Sequence, residues 1–320
     1  MKKTGKHSSV DVSVVIPLYN EEGSLAELHK QIVQALKPRG YRYEVLFIDD
    51  GSQDDSFEVI HGLSKIDPNV RAIRLRTNCG KSDALSVGFS LVRGEYVITM
   101  DADLQDDPDE IPSLIDKLEE GYDLISGWKK ERFDPLSKRI PSRFFNKITA
   151  LISGIPLHDF NCGLKAYRRE VTQEIPVYGE LHRYLPVLAK WQGYRIGELA
   201  VTHHPRKYGV TKFGFARFYR GFFDLLTVIF LTRYLKRPMH FFGIIGAIVF
   251  FIGFAINLHL SILWLRGIGI GERPMLLLGV LMQIIGTQFF SIGLVGEMIA
   301  NMRSEKRSYS IRETIDPLND

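Results

Sequence analysis

Residues 96–109 read Tyr96-Val97-Ile98-Thr99-Met100-Asp101-Ala102-Asp103-Leu104-Gln105-Asp106-Asp107-Pro108-Asp109. The first five form an apolar run rich in strand formers, and the turn residues Arg93-Gly94-Glu95 precede them. This pattern predicts a buried strand of a parallel sheet. At its C-terminal end the chain turns acidic, with Asp101, Asp103, Asp106, Asp107 and Asp109 around Gln105. Ligand sites of open α/β sheets lie at the carboxyl ends of strands. Carboxylates this dense repel one another unless they share a cation. An Asp-x-Asp turn offers hard oxygens that suit Mg²⁺ or Mn²⁺, with a substrate phosphate completing the shell. The plainer reading is a solvated acidic turn in which Asp107 or Asp109 caps the helix that Pro108 helps to start. Its place behind a buried strand favours the metal.

Outward from this strand the same grammar repeats. Residues 11–17 predict a first strand, followed by Leu18-Tyr19-Asn20-Glu21-Glu22 and a helix over 24–36. Residues 43–48 predict a second, ending in Asp49-Asp50-Gly51-Ser52, with a helix reaching Ile66. Residues 71–75 predict a third, ending in Arg76-Thr77-Asn78-Cys79-Gly80-Lys81, with a helix over 82–92. Strand and helix alternate through short connections, so the expected domain is a mostly parallel, Rossmann-like α/β sheet with right-handed crossovers. Four polar strand ends then converge on one edge. At the second, Asp50 suits a hydrogen bond from a base imide or a ribose hydroxyl, whereas Asp49, Asp54 and Ser56 suit capping of the next helix.

Together, Val14-Val15-Ile16-Pro17-Leu18-Tyr19-Asn20-Glu21-Glu22, Asp49-Asp50-Gly51-Ser52 and Asp101-Ala102-Asp103-Leu104-Gln105 resemble family 2 glycosyltransferases of the GT-A fold. The nearest likeness is to the branch of dolichol-phosphate mannose synthases and polyprenyl-phosphate glucosyltransferases, and it covers about residues 11–215. The resemblance implies that Pro17, Tyr19, Glu21, Asp50, Asp101 and Ala102 bind the donor nucleotide. It also implies that Asp101, Asp103 and Gln105 hold a divalent metal, Mg²⁺ or Mn²⁺, on the donor diphosphate. By the same likeness, Lys138, Arg139, Ser142 and Arg143 meet the lipid phosphate. Read from the residues alone, that stretch is either a basic solvated helix face or a segment lying on a membrane surface.

His158-Asp159-Phe160-Asn161-Cys162-Gly163-Leu164-Lys165-Ala166-Tyr167-Arg168 resembles the family's acceptor-side element, which makes Asp159 the candidate base. A phosphate monoester has a second pKa near ~6 and is largely ionised at neutral pH, so orienting a sugar hydroxyl is the other task open to Asp159. A last strand is expected over 123–127. His203-His204-Pro205-Arg206-Lys207-Tyr208-Gly209-Val210-Thr211-Lys212 resembles the family's His-x-x-Arg-x-x-Gly-x-Ser-Lys loop, with threonine where serine is usual. Arg206 and Lys212 would clamp the diphosphate, arginine through bidentate hydrogen bonds. The resemblance makes Asp159, Asp103 and Arg206 the catalytic set. The adjacent histidines do not make a metal site, since neighbouring side chains point apart and no third ligand follows.

Beyond residue 212 the composition changes. Residues 213–234 carry aromatic and aliphatic side chains at spacings of three and four, with Arg217, Arg220 and Asp224 between them, as in an amphipathic interfacial helix. Residues 239–265 and 275–296 contain no Lys, Arg, Asp or Glu. Each exceeds the roughly 20 residues that a spanning helix needs. Arg233, Lys236 and Arg237 precede the pair and Arg303, Lys306 and Arg307 follow it, against Arg266 and Arg273 offset by Glu272 between them. The positive-inside rule then puts both chain ends and the α/β domain in the cytosol. Glycines 243, 246, 253, 286, 293 and 296 permit close packing, within a chain or between chains. The expected organisation is a polar tail to residue 10, a glycosyltransferase domain over 11–212, juxtamembrane helices over 213–236, a membrane hairpin over 237–300 and a cytosolic tail.

The expected activity is inverting transfer of one sugar from a nucleotide diphosphate to a polyprenyl phosphate at the inner leaflet. Overall likeness favours UDP-glucose, with GDP-mannose next, and family likeness implies a homo-oligomer. Two cysteines without metal-ligand spacing suit a reducing compartment. A formal charge of +4 fits anionic lipid and phosphates and makes no case for nucleic acid. A processive polysaccharide synthase would carry Gln-x-x-Arg-Trp before its membrane region, and Glu180-Leu181-His182-Arg183-Tyr184 lacks it. A non-catalytic scaffold that only binds nucleotide sugar fits poorly with an intact Asp101, Asp103 and Arg206.

Overall fold

The structure, a computed structural model, describes residues 10–130, 146–151, 153–177, 179, 181–205, 238–269 and 274–303. They fall into two compact units, an α/β domain and a pair of apolar helices. In the first, β1 (Val12–Leu18), β2 (Tyr43–Asp49), β3 (Val70–Arg74) and β4 (Tyr96–Thr99) alternate with α1 (Leu25–Leu36), α2 (Ser56–Ile66) and α3 (Lys81–Leu91). After α4 (Ile111–Glu119) come β5 (Leu124–Lys129), β6 (Lys165–Arg168), α5 (Arg169–Glu174), α6 (Leu185–Trp191) and β7 (Ile196–Val201).

One seven-stranded sheet results, in the order β3-β2-β1-β4-β6-β5-β7. Strand β6 runs antiparallel to β4 and β5, and the other pairs are parallel. The expected strands are present within a residue or two, but β6 and β7 were not expected. Strand β6 has only four residues with Lys165 and Arg168 at its ends, and β7 carries Gly197 and Glu198, so neither reads as an apolar run.

Strands β1 and β2 are buried along their whole length because helices cover both faces. Side chains alternate across a strand. Val14 and Ile16 therefore pack with Leu28 and Ile32 of α1, while Val15 packs with Leu85 and Phe89 of α3. This is why these strands are continuous apolar runs. Their carboxyl ends lie beside those of β3 and β4.

The second unit is a helical hairpin, α7 (Pro238–Leu265) and α8 (Pro274–Arg303). Both helices are long and apolar enough to cross a membrane, and their surfaces are largely exposed, unlike those of a soluble core helix. Glycines bring the backbones together. A Cβ on Gly246 would lie 2.7 Å from the Gly286 carbonyl oxygen, and one on Gly253 would lie 2.6 Å from that of Gly279. Asn257 donates to Gln283 at 2.8 Å, and Glu297 accepts the Met239 N–H at 3.2 Å. The glycines are thus spent within one chain, and a homo-oligomer rests on family likeness alone. Gly253→Leu is expected to cost about 1–3 kcal/mol through overpacking, read as a lower unfolding temperature in detergent.

Candidate active site

The acidic turn after β4 separates its five carboxylates into different tasks. Leu104 sits in the left-handed region at φ 59°, which is unfavourable for a branched residue. Its side chain is buried in the core and holds the turn there. Asp103 is buried and its Oδ1 accepts the Gln105 N–H at 3.2 Å. Asp101 is paired with Lys81, the first residue of α3. Burial alone would raise the Asp101 carboxyl, but Lys81, with Lys129 and Lys165 behind it, holds it down at about 2. Asp106 turns inward to a buried ion pair with Lys129 at 2.8 Å. Asp107 caps the turn by accepting the Asp109 N–H at 3.0 Å, so the plainer reading holds for that residue.

The loops after β1 and β2 are laced together. Asn20, also left-handed at φ 55°, donates its N–H to Ser52 Oγ and accepts the Gln53 N–H. The Glu21 N–H donates to Ser56 Oγ at 2.9 Å. Asp54 accepts both the N–H and the hydroxyl of Ser56, while Asp49 takes the Ser52 N–H and pairs with Arg74. Asp50 is buried and engaged: its two oxygens accept the N–H groups of Cys79 at 2.7 Å and Gly80 at 2.9 Å. It fixes the loop after β3, and with it Lys81. Pro17 lies in β1 opposite Ile48, and Ala102 is buried.

Beside Asp101 lies a small cavity of about 20 Å³, lined among others by Lys81, Asn161, Lys165, His182 and Arg183. Asn161, Cys162 and Gly163, from the loop that begins at Asp159, form one wall. Asp159 is buried, and its Oδ1 accepts the Asn161 N–H at 3.0 Å. Gly163 presses on the acidic turn: a Cβ there would lie 2.7 Å from the Asp101 Cγ. Gly163→Ala should therefore move the Asp101 carboxylate and lower transfer about 100-fold at little cost in stability. Equal activity in wild type and variant would show that this contact is idle.

Lys165 enters the cavity floor from β6, buried, with its ammonium on the Cys162 carbonyl. Burial lowers its pKa. His182 lies 2.9 Å from Ser82 Oγ, which also accepts the His182 N–H. Burial, then Lys81 and Arg183, push the imidazole down to about 2, so it is neutral in the folded chain. In the unfolded chain it takes up a proton below ~6.5. Stability therefore falls as pH drops through that value, by about 2 kcal/mol between pH ~7 and ~5. Denaturant titrations at the two pH values should show the loss, and His182→Gln should flatten it. Lys81, Gly163, Lys165 and His182 were not assigned to the site from sequence. The signals were Lys81 at the end of a strand-end loop, and Gly163 and Lys165 within the element that runs from His158 to Arg168.

The segment after β7 is sewn onto the acidic turn. Asp106 and His203 form a β-bridge, the His204 N–H donates to the Gln105 carbonyl at 2.8 Å, and His204 Nε2 lies 3.0 Å from Asp107 Oδ2. His203 Nδ1 lies 3.1 Å from the Gln105 carbonyl oxygen. Arg206 and Lys212 lie outside the described residues, as do Lys138, Arg139, Ser142, Arg143 and the expected juxtamembrane helices. Among the described residues, no group of three or more His, Cys, Asp or Glu gathers in a metal-binding cluster. The oxygens of Asp101 and Asp103 nevertheless fit Mg²⁺ or Mn²⁺, which take one or two carboxylates and complete their shell with phosphates and water.

Residues 13–176, half of the chain, match the family model described as Glycosyl transferase family 2. The chain belongs to that family. This family 2 glycosyltransferase is 37% identical over 317 residues to a dodecaprenyl-phosphate galacturonate synthase of Rhizobium johnstonii, covering 96% of this chain and 94% of that one. It is 36% identical over 301 residues to an undecaprenyl-phosphate 4-deoxy-4-formamido-L-arabinose transferase of Klebsiella pneumoniae, covering 93% and 90%. Among solved structures it resembles the glucosyl-3-phosphoglycerate synthase of Mycobacterium tuberculosis with Mg²⁺ and UDP, with a TM-score of 0.53 and 20% identity over 69% of this chain and 79% of that one. That likeness shows the GT-A-like fold of the α/β domain.

Proposed function

We propose that this glycosyltransferase moves one sugar from a UDP-linked donor to the phosphate of a polyprenyl phosphate, with inversion, at the cytosolic face of a membrane. The observation that carries the reading is the joining of two things in one chain. Asp101, in the turn it shares with Asp103, lines a cationic cavity at the sheet edge, and two bilayer-length helices follow in sequence. Relatives matched along nearly the whole length are named for polyprenyl-phosphate substrates. Their sugars, galacturonate and 4-deoxy-4-formamido-L-arabinose, widen the donor beyond UDP-glucose, and neither name supports GDP-mannose.

In this reading the loops after β1 and β2 seat the nucleoside. Asp101 and Asp103 hold Mg²⁺ or Mn²⁺, which when bound supplies charge stabilisation for the departing diphosphate. Lys81, fixed through Asp50 and the Gly80 N–H, places a cation next to the same oxygens. Neutral His182 adds a hydrogen-bonding group without a further charge. Asp159 faces the acceptor and orients it or takes its proton. Lys138, Arg139, Ser142 and Arg143 are proposed to meet the lipid phosphate, and Arg206 and Lys212 the diphosphate. Cations at the outer ends of the hairpin support a cytosolic domain and cytosolic chain ends.

The test is to supply detergent-solubilised protein with Mn²⁺ or Mg²⁺, polyprenyl phosphate and labelled UDP-glucose, UDP-galacturonate or GDP-mannose, and to follow label into the organic phase. Label from one UDP-sugar supports the reading and names the sugar. Label from GDP-mannose alone overturns the donor, and label from none while nucleotide binds favours the scaffold.

A further inference from the structure

We propose that Glu198 is the positioning residue for Asp159: one carboxylate on β7 fixes the backbone from which the Asp159 side chain meets the acceptor. The proposal rests on the acceptor-side reading of Asp159. Glu198 Oε1 accepts two consecutive backbone N–H groups, His158 at 2.8 Å and Asp159 at 3.1 Å. Its Oε2 lies 2.7 Å from His158 Nδ1. The Glu198 side chain is only 12% exposed, although that of His158 is 63% exposed.

The surroundings complete the grip. Strands β5 and β7 pair in register, Ser126 opposite Glu198. From β5, Ser126 Oγ donates to the Asp159 carbonyl at 3.3 Å, and the Trp128 ring stacks on His158 with centroids 4.2 Å apart. Asn146 donates to the His158 carbonyl at 2.9 Å. Residues 157–164 contain no helix or strand. A loop residue placed only by its own Asx turn would sample several orientations, and an error of about 1 Å in a reacting group can cost ~100-fold in rate. Glu198 ties this loop to the rigid sheet. Two adjacent N–H donors need one well-placed oxygen on a side chain of this length, which glutamate supplies through Oε1 while Oε2 meets the imidazole.

The experiment uses the full chain in detergent with polyprenyl phosphate and the active nucleotide sugar, comparing Glu198→Ala, Glu198→Asp, Glu198→Gln and Asp159→Asn with wild type. Glutamine keeps an oxygen for both backbone donors and loses the charge. Glu198→Ala should lower kcat about 30–100-fold with KM for the donor and UDP affinity unchanged, and Glu198→Gln should recover kcat to within about fivefold of wild type. Glu198→Asp, one methylene short, should resemble alanine; it serves in its place if the alanine variant does not fold. Alanine and aspartate variants with kcat within twofold of wild type would overturn the proposal. So would a glutamine variant no better than they are, or a loss confined to thermal stability. Asp159→Asn reports on the underlying reading: wild-type activity there overturns the role of Asp159 itself, whereas a dead Asp159→Asn beside an active Glu198→Ala overturns only the positioning.

Discussion

Asp103→Ala is expected to lower sugar transfer by about a thousandfold while leaving insertion into the membrane intact. The carboxylate is one of two hard-oxygen groups presented by the turn after β4, and charge stabilisation on a leaving group carries effects of this order. The structural cost is small by comparison. The variant loses, among its contacts, the Asx-turn bond to the Gln105 N–H, worth about 1 kcal/mol, and Leu104 still anchors the turn in the core. Unfolding temperature and membrane fractionation should therefore match wild type closely. Full activity in this variant would sink the metal assignment.

The largest effect on stability is expected at Lys129. Its side chain is 14% exposed and meets an Asp106 side chain that is fully buried. Burial opposes the lysine's charge, but the Asp106 carboxylate overrides it and raises the pKa, so the ammonium stays charged. Lys129→Met strands a buried carboxylate and should cost about 3–5 kcal/mol. Lys129→Met combined with Asp106→Leu removes both charges and should regain most of that stability, because apolar replacements of buried pairs are often neutral. Denaturant midpoints of the single and double variants decide between a structural pair and two independent residues. Activity should fall with the single change as well, since Asp106 also bridges His203.

Sequence periodicity revealed the first five strands and both apolar helices because most of them are continuous apolar runs. Strands β6 and β7 escaped because neither is such a run: β6 has only four residues, and β7 is a largely half-buried edge strand. Lys165 and Glu198 occupy strand positions for their polar atoms, which no apolar pattern signals. The acidic turn was legible as a cluster but not as a division of labour. Only the positions of Lys81, Lys129 and His204 show which of the five aspartates faces the cavity, which is neutralised inside and which caps a turn. Asp50 was read as a ligand for the nucleoside. The structure adds that its oxygens anchor the Cys79-Gly80 backbone.

The glycine contacts between α7 and α8 have a bearing on biogenesis. Helices that touch backbone to backbone at Gly246/Gly286 and Gly253/Gly279 suit entry into the bilayer as one folded-over unit. The Met239 N–H on Glu297 closes that unit where the chain enters and leaves it. For a hairpin that crosses a bilayer parity is expected: a reporter fused after it should report the same compartment as one fused ahead of it.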